Sequence, residues 1–245
     1  LALADFDLAI ELDDTMDWTF ANRGETYGLM GEYNKALADF NRAIKLNANY
    51  HWAYEQKGIT LRILERYPEA IVALTKAVES WKDCPVCYAH RGETYRLMKE
   101  YDKSLADFDR AIELENKYDW AIASRGLIYR LMEKYDKALT DFDRAIELNE
   151  KLTGAIAHRG ETYRLMGEYD EALIDFDRAI ELDEKSAWVI ASRGDTYRLM
   201  EMYDKALVDY ERALQFVPED QQSAYAWIWR GKSIVLRRME RCEEA

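Results

Sequence analysis

The sequence predicts an all-α protein, an α-solenoid of stacked antiparallel helix pairs, and three observations lead to this fold class. The stretch Ala157–Leu182 returns with modest edits along the chain. Apolar residues in each copy recur at three- and four-residue spacing, which places them on one stripe of a helix. Glycines at equivalent points lie 34 residues apart, at Gly24, Gly58, Gly92, Gly126, Gly160 and Gly194. A fixed period of this size dictates the architecture.

Each copy contains two helices joined by a short turn. In the last full copy, Ile190, Tyr197 and Met200 mark the first helix, and Asp204 suits the N-cap of the second. A glycine inside a helix costs roughly 0.5–1 kcal/mol relative to alanine, so its recurrence indicates close contact with the paired helix. We expect helices near 18–30, 34–47, 51–64 and 68–81, and onward at the same period.

Taken in order, the units form one solenoid over residues 1–245. A half repeat at 1–16 precedes full repeats at 17–50, 51–84, 85–118, 119–152, 153–186 and 187–220, then an insertion at 221–225 and a partial repeat at 226–245. In the partial repeat the register puts Ser233, not Gly231, at the glycine position and begins a second helix before Ala245. Because the chain opens at Leu1 inside a helical pattern, we expect both ends to be cuts in a longer protein.

These residues carry a family resemblance. In the first full unit the pattern reads Phe20, Gly24, Tyr27, Ala36, Phe40 and Ala43. It resembles the 34-residue tetratricopeptide repeat (TPR), and the resemblance covers essentially the whole chain. One departure is that the late proline of the family pattern appears only as Pro218. The resemblance implies a right-handed superhelix whose first helices line a concave groove for extended or helical peptides.

Composition excludes several function classes. The formal net charge is −13 and the sequence pI is about 4.8, which argues against nucleic acid because such binding needs a clustered positive surface. No apolar run approaches the ~20 residues of a membrane span, so we expect no membrane insertion, and we expect a cytoplasmic location. Carboxylates follow the repeat and form no unrepeated polar cluster, so we expect no enzyme.

The cysteines and histidines are the candidates for metal or redox chemistry. Cys84-Pro-Val-Cys87 is a C-x-x-C motif, but it has neither the βαβ setting of a redox motif nor the second pair typical of zinc sites. We expect structural cysteines. His90 and His158 stand two repeats apart, about 20 Å at ~8–10 Å between helix axes, and His51 is isolated. We therefore expect no metal and no cofactor.

Two sets of charged and aromatic residues recur with the repeat. The arginines before the glycines are expected to form structural pairs with aspartates of the following helix: Arg23, Arg91, Arg125, Arg159 and Arg193 with Asp39, Asp107, Asp141, Asp175 and Asp209. For the groove, the resemblance implies a partner-binding face of Trp18, Trp52, Trp120, Trp188, Trp227, His90, His158, Glu93, Glu161, Asp195, Arg62, Arg96, Arg130, Arg164 and Arg198. The alternative is that the tryptophans pack on the preceding unit and the acids pair with arginines three residues later.

Two functions remain open at this point. The first is a protein-interaction scaffold that binds a peptide or partner protein in the groove. The second is a regulatory arm of a larger protein, which packs on an enzyme or signalling domain, with intramolecular or homo-oligomeric contacts through the cut ends. The TPR type that clamps a carboxylate is disfavoured, because Glu25 stands where a second asparagine is required.

Overall fold

The computed structural model describes residues 2–243, with side chains described through residue 240. Leu1 and residues 244–245 of the expected terminal repeats lie outside the described residues. Over the described range the chain is helix, turn and loop without a β-strand, which confirms the all-α prediction. The chain divides into two compact units, Leu1–Ile128 and Tyr129–Ala245.

The helix bounds follow the 34-residue period. The first unit contains α1 (Ala2–Leu12), α2 (Asp17–Leu29), α3 (Tyr33–Leu46), α4 (His51–Ile63), α5 (Tyr67–Ser80), α6 (Pro85–Leu97) and α7 (Tyr101–Leu114). The boundary between the two units falls within helix α8 (Asp119–Leu131). The second unit continues with α9 (Tyr135–Leu148), α10 (Thr153–Met166), α11 (Tyr169–Leu182), α12 (Ala187–Leu199), α13 (Tyr203–Leu214) and α14 (Ala226–Glu243). Most of these helices begin about one residue earlier than the sequence pattern predicts.

The turn within each pair is closed by backbone bonds and not by a side-chain cap. Helix α13 begins at Tyr203 after Met202, which makes no side-chain cap hydrogen bond, so the prediction of Asp204 as the N-cap is wrong. Instead, the Met202 N–H donates to the Tyr197 carbonyl at 2.9 Å. Asp204 lies in the first turn of α13, where a negative charge stabilises the helix by interacting with the positive end of its dipole.

One residue in each turn adopts the left-handed conformation. Its φ lies between +58° and +85° at Gly31, Glu65, Lys99, Glu133, Gly167 and Glu201. Glycine occupies only two of these six equivalent places. Because left-handed backbone costs roughly 1–2 kcal/mol for other residues, the packing of the helix pair imposes this conformation on glutamate and lysine.

In several helix pairs a glycine of the first helix faces an aromatic ring of the second, whereas Gly58 in α4 faces Leu74. A Cβ added to Gly160 would lie 3.0 Å from the Asp175 Cβ and 3.2 Å from the Phe176 ring. The rings are fully buried at Phe40, Phe108, Phe142, Phe176 and Tyr210. These contacts explain why a glycine recurs inside the first helix of each pair.

Helix α14, the last helix of the second unit, continues through the position where the sequence pattern predicts a turn. Helix α14 continues to Glu243, so the second helix expected to begin before Ala245 does not form. Lys232 pairs with Glu211 at 2.9 Å, at the place where Arg193 pairs with Asp177 one repeat earlier. That pairing is the one expected when Ser233 stands at the glycine position.

Candidate functional site

The candidate site lies on the first helix of each pair. We call this surface the first-helix face. In each repeat it is defined by four positions on the first helix: the tryptophan, the histidine or serine, the acid and the arginine. In the first unit it is carried by α2, α4 and α6, which contact one another in sequence. In the second unit it is carried by α10, α12 and α14, which also contact one another in sequence.

Most of the tryptophans are packed between successive helix pairs. The Trp120 ring lies 5.4 Å from His90 and 6.1 Å from Phe108, measured between centroids. Trp188 contacts His158 at 5.0 Å. Trp52 packs on the core cluster of the preceding pair, and Trp227 is also partly buried. These four present an edge of the indole to solvent, as the packing alternative predicts.

Two tryptophans of the first helices are more exposed. Trp18 is 50% exposed on α2, and Trp229 is 54% exposed on α14. Trp229 was not among the candidate residues, because its register equates it with the buried Ile190. It is exposed here because its helix is not covered by a following helix within the described residues.

The acids of the face are bound to arginines on the same helix. Arg96 makes two hydrogen bonds to Glu93, at 2.7 and 2.6 Å. The same bidentate pair joins Arg164 to Glu161 at 2.8 and 2.6 Å. Arg198 contacts Asp195 at 2.9 Å. These pairs are half-buried, so their charges largely cancel before any partner arrives.

Arg62 and Arg130 differ from the other arginines of the face. Three residues before them stand Ile59 and Leu127, where α2, α6, α10 and α12 carry an acid. The Nε of each is buried and finds no hydrogen-bond acceptor among the described residues. Burial lowers the pKa of Arg130. Each of these two guanidinium groups thus keeps one buried donor without an acceptor among the described residues, although the charge of Glu161 acts on Arg130.

The arginines before the glycines are structural, as predicted. Their Nε and Nη2 donate to both oxygens of the aspartate sixteen residues later, at 2.6–2.8 Å, in Arg23–Asp39, Arg91–Asp107, Arg159–Asp175 and Arg193–Asp209. The third nitrogen reaches the preceding pair, as from Arg159 to Asp143 at 2.6 Å. Bidentate geometry of this kind fixes the two helices in register.

A second cluster lies in the first unit, at the start of α6. Cys84 and Cys87 form a disulfide and are buried. The Cys87 Sγ lies 3.5 Å from the Glu55 carboxylate on α4, and the His90 Nε2 lies 3.9 Å from the same carboxylate. Burial raises the pKa of Glu55 to about 7. Burial and the nearby charge of Arg62 lower the pKa of His90 to about 4.

Sequence reasoning missed this cluster because its members come from different repeats. Glu55 was not among the candidate residues, although it carried a signal. It stands where the other first helices have alanine, at Ala21, Ala89, Ala123, Ala157 and Ala191. A carboxylate in a series of buried alanines needs a local explanation.

The comparisons with known proteins agree on the repeat. A family model described as tetratricopeptide repeat matches residues 18–50, 120–152 and 155–186. A second model with the same description matches residues 86–118, and together they cover more than half of the chain. Among curated proteins no relative matches this sequence. Within the described residues, no helix combines the length and apolar character needed to cross a bilayer.

Solved structures match with high similarity of fold. The APC/C hetero-tetramer Cut9–Hcn1 gives a TM-score of 0.83 at 16% identity, over 94% of this chain and 45% of that one. Pseudomonas aeruginosa PilF gives 0.73 at 16%, over 87% and 98%. YrrB, described as a TPR protein with an unusual peptide-binding site, gives 0.56 at 26%, over 76% and 96%. The two matches at 16% identity bear on the fold alone.

Proposed function

Because this chain belongs to the tetratricopeptide repeat family, we propose that it is a protein-interaction scaffold whose first-helix face binds an acidic peptide segment of a partner protein. The observation that carries the proposal is the buried Nε of Arg130 in the second unit, which finds no hydrogen-bond acceptor among the described residues. In the first unit, the Nε of Arg62 is in the same situation. A buried guanidinium nitrogen without an acceptor costs free energy, so an incoming carboxylate would gain more there than at an arginine that is already paired.

The remaining residues of the face supply apolar contact and selectivity. In the second unit the partly buried Trp188 offers rigid aromatic surface, and such residues dominate the energies of many interfaces. The paired acids, such as Glu161 beside Arg164, would repel an acidic group placed away from Arg130. The preferred peptide therefore alternates carboxylates with apolar side chains.

A relative supports the peptide reading. YrrB, at 26% identity, is described as having a peptide-binding site. The net charge of −13 does not contradict an acidic ligand, since recognition would depend on local unsatisfied arginines. The net charge does predict that added salt raises the binding affinity, because salt screens the overall repulsion between protein and peptide.

The test is a peptide selection followed by kinetics on matched variants. A displayed library of random peptides is selected on the full chain, and enriched peptides are measured against wild type, Arg130→Gln and Trp188→Ala. We expect enriched acidic sequences, binding weakened about tenfold or more by Arg130→Gln, and a dissociation rate raised about tenfold by Trp188→Ala, equivalent to ~1.4 kcal/mol.

The control is Arg178→Gln, which removes an equal charge from the second helix of a pair. Arg178 donates to the Glu150 carbonyl at 2.9 Å, away from the first-helix face. Its variant should bind the selected peptides like wild type. Enrichment of peptides without acids, or equal weakening by Arg178→Gln and Arg130→Gln, would remove the proposal.

A further inference from the structure

Three departures from the repeat meet at one place in the first unit. Glu55 replaces an alanine, Cys87 stands where Ala53, Ala121 and Ala155 stand in other units, and Cys84 ends the only repeat that closes on a cysteine. Taken separately, each is a minor change within a single repeat. In the fold, their oxygen and sulfur atoms lie within 4.8 Å of one another.

The same place holds a fourth side chain of the right chemistry. His90 lies three residues after Cys87 on α6, and its Nε2 is 3.9 Å from the Glu55 carboxylate. Its Nδ1 is buried without a hydrogen-bond partner among the described residues. Two sulfurs and one carboxylate thus lie within 4.8 Å of one another between α4 and α6, and the imidazole borders the carboxylate of this group.

We propose that the reduced chain binds a zinc ion through Cys84, Cys87, Glu55 and His90. Two thiolates, an imidazole and a carboxylate are ligands that zinc accepts in tetrahedral geometry. The thiolates disfavour calcium and magnesium, which take oxygen ligands. The site has four protein ligands and is largely closed to water, since both cysteines are at most 1% exposed, Glu55 is 8% exposed and the His90 side chain is 19% exposed. A closed four-ligand site is structural and not catalytic.

The charges around the site favour a cation at its centre. An ionised Glu55 with two thiolates carries three negative charges, and zinc leaves one of them. Without the metal, the chain keeps the buried Glu55 carboxylate at a position where five other repeats have alanine. This burial lowers the stability of the fold.

The disulfide of Cys84 and Cys87 is the oxidised form of the same site. A dithiol reductant opens it with two electrons, becomes a disulfide itself, and leaves one proton on each sulfur. Zinc then replaces both protons. The metal site and the disulfide are therefore mutually exclusive, and oxidation of the chain releases the ion.

The test is a cobalt titration of the full chain. The protein is reduced with excess dithiol, freed of reductant and metal under argon, and titrated with Co²⁺, whose visible bands report tetrahedral geometry and whose near-ultraviolet bands report thiolate ligands. We expect one Co²⁺ per reduced chain, displaced by Zn²⁺, and no such spectrum from the oxidised chain.

The variants restore residues that other repeats already use, so they should fold. Glu55→Ala and His90→Ser should weaken Co²⁺ binding at least about 100-fold, beyond the 10–100-fold typical of lost outer-shell contacts. His158→Ser is the matched control, since His158 has the same place in its repeat, with Ala155 at the cysteine position. Its variant should bind like wild type.

Three outcomes would overturn the proposal. One is a reduced wild-type chain that binds no Co²⁺ or Zn²⁺. Another is equal affinity in wild type, Glu55→Ala and His90→Ser, which would assign the metal to the cysteines alone. The last is a disulfide that stays closed in excess dithiol while the chain remains folded.

Discussion

The contact between Gly160 and α11 gives the most direct test of the packing. A Cβ at Gly160 would lie 3.0 Å from the Asp175 Cβ and 3.2 Å from the Ala172 carbonyl. Neither neighbour can retreat easily. Asp175 is held at both oxygens by Arg159, and the carbonyl belongs to the α11 backbone. Overpacking of this kind costs about 1–3 kcal/mol.

The same helix provides the control. Gly154 also lies in α10, and a Cβ added there meets nothing within 4 Å. Replacement by alanine gains roughly 0.5–1 kcal/mol of helix stability at either glycine. We therefore expect Gly154→Ala to stabilise the protein and Gly160→Ala to destabilise it by up to about 2 kcal/mol. The gap between them measures the contact at about 1–3 kcal/mol, and Gly160→Leu should lose more than Gly160→Ala.

The assay is urea unfolding followed by far-ultraviolet circular dichroism, with thermal melts as a second measurement. Midpoints are compared among the three variants and wild type at one protein concentration. If Gly160→Ala is as stable as Gly154→Ala, or Gly160→Leu leaves the melting temperature unchanged, close packing is not the reason for the recurring glycine.

Two further predictions concern single repeats of the second unit. Tyr210→Phe removes the hydroxyl that donates to Asp195 at 2.6 Å and should cost about 1 kcal/mol. The double variant Tyr210→Phe with Asp195→Glu recreates the Glu–Phe combination of other repeats. Urea unfolding should therefore show a loss of stability about 0.5–1 kcal/mol smaller than the sum of the losses in the two single variants. Strict additivity of the two losses would contradict this. At the left-handed turn position, thermal melts should show that Gly167→Ala loses about 1–2 kcal/mol, whereas Glu201→Gly loses nothing; equal losses would contradict the strain account.

The parts of the fold that recur locally could be predicted from the sequence. Each helix pair carries its own apolar stripe and its own glycine, and the arginine–aspartate pairs follow from a constant separation of sixteen residues. The bidentate contact of Arg159 with Asp175 is therefore implied once two antiparallel helices are accepted. The helix bounds differ by about one residue because the turn is closed by backbone bonds.

The parts of the candidate site that depend on neighbouring repeats could not be predicted in the same way. Whether Trp120 is free or packed depends on the His90 and Phe108 rings of the preceding pair. Similarly, Glu55 meets Cys87 only because α4 and α6 lie side by side. A period shows which residues are equivalent, but the departures from it gain meaning only in three dimensions.

The arginine that links successive helix pairs also bears on how the first unit unfolds. In a linear array, cooperativity depends on the free energy of each interface between neighbours. Arg23 reaches Asp7 of the preceding helix, and Arg125 reaches Asp109. Asn41 replaces the aspartate before α4, Thr75 replaces it before α6, and Arg91 reaches Thr75 only at 3.4 Å. The two interfaces of the repeat made of α4 and α5 therefore lack the charged link and depend on apolar packing, as between Leu37 and Leu61 and between Val78 and Cys87.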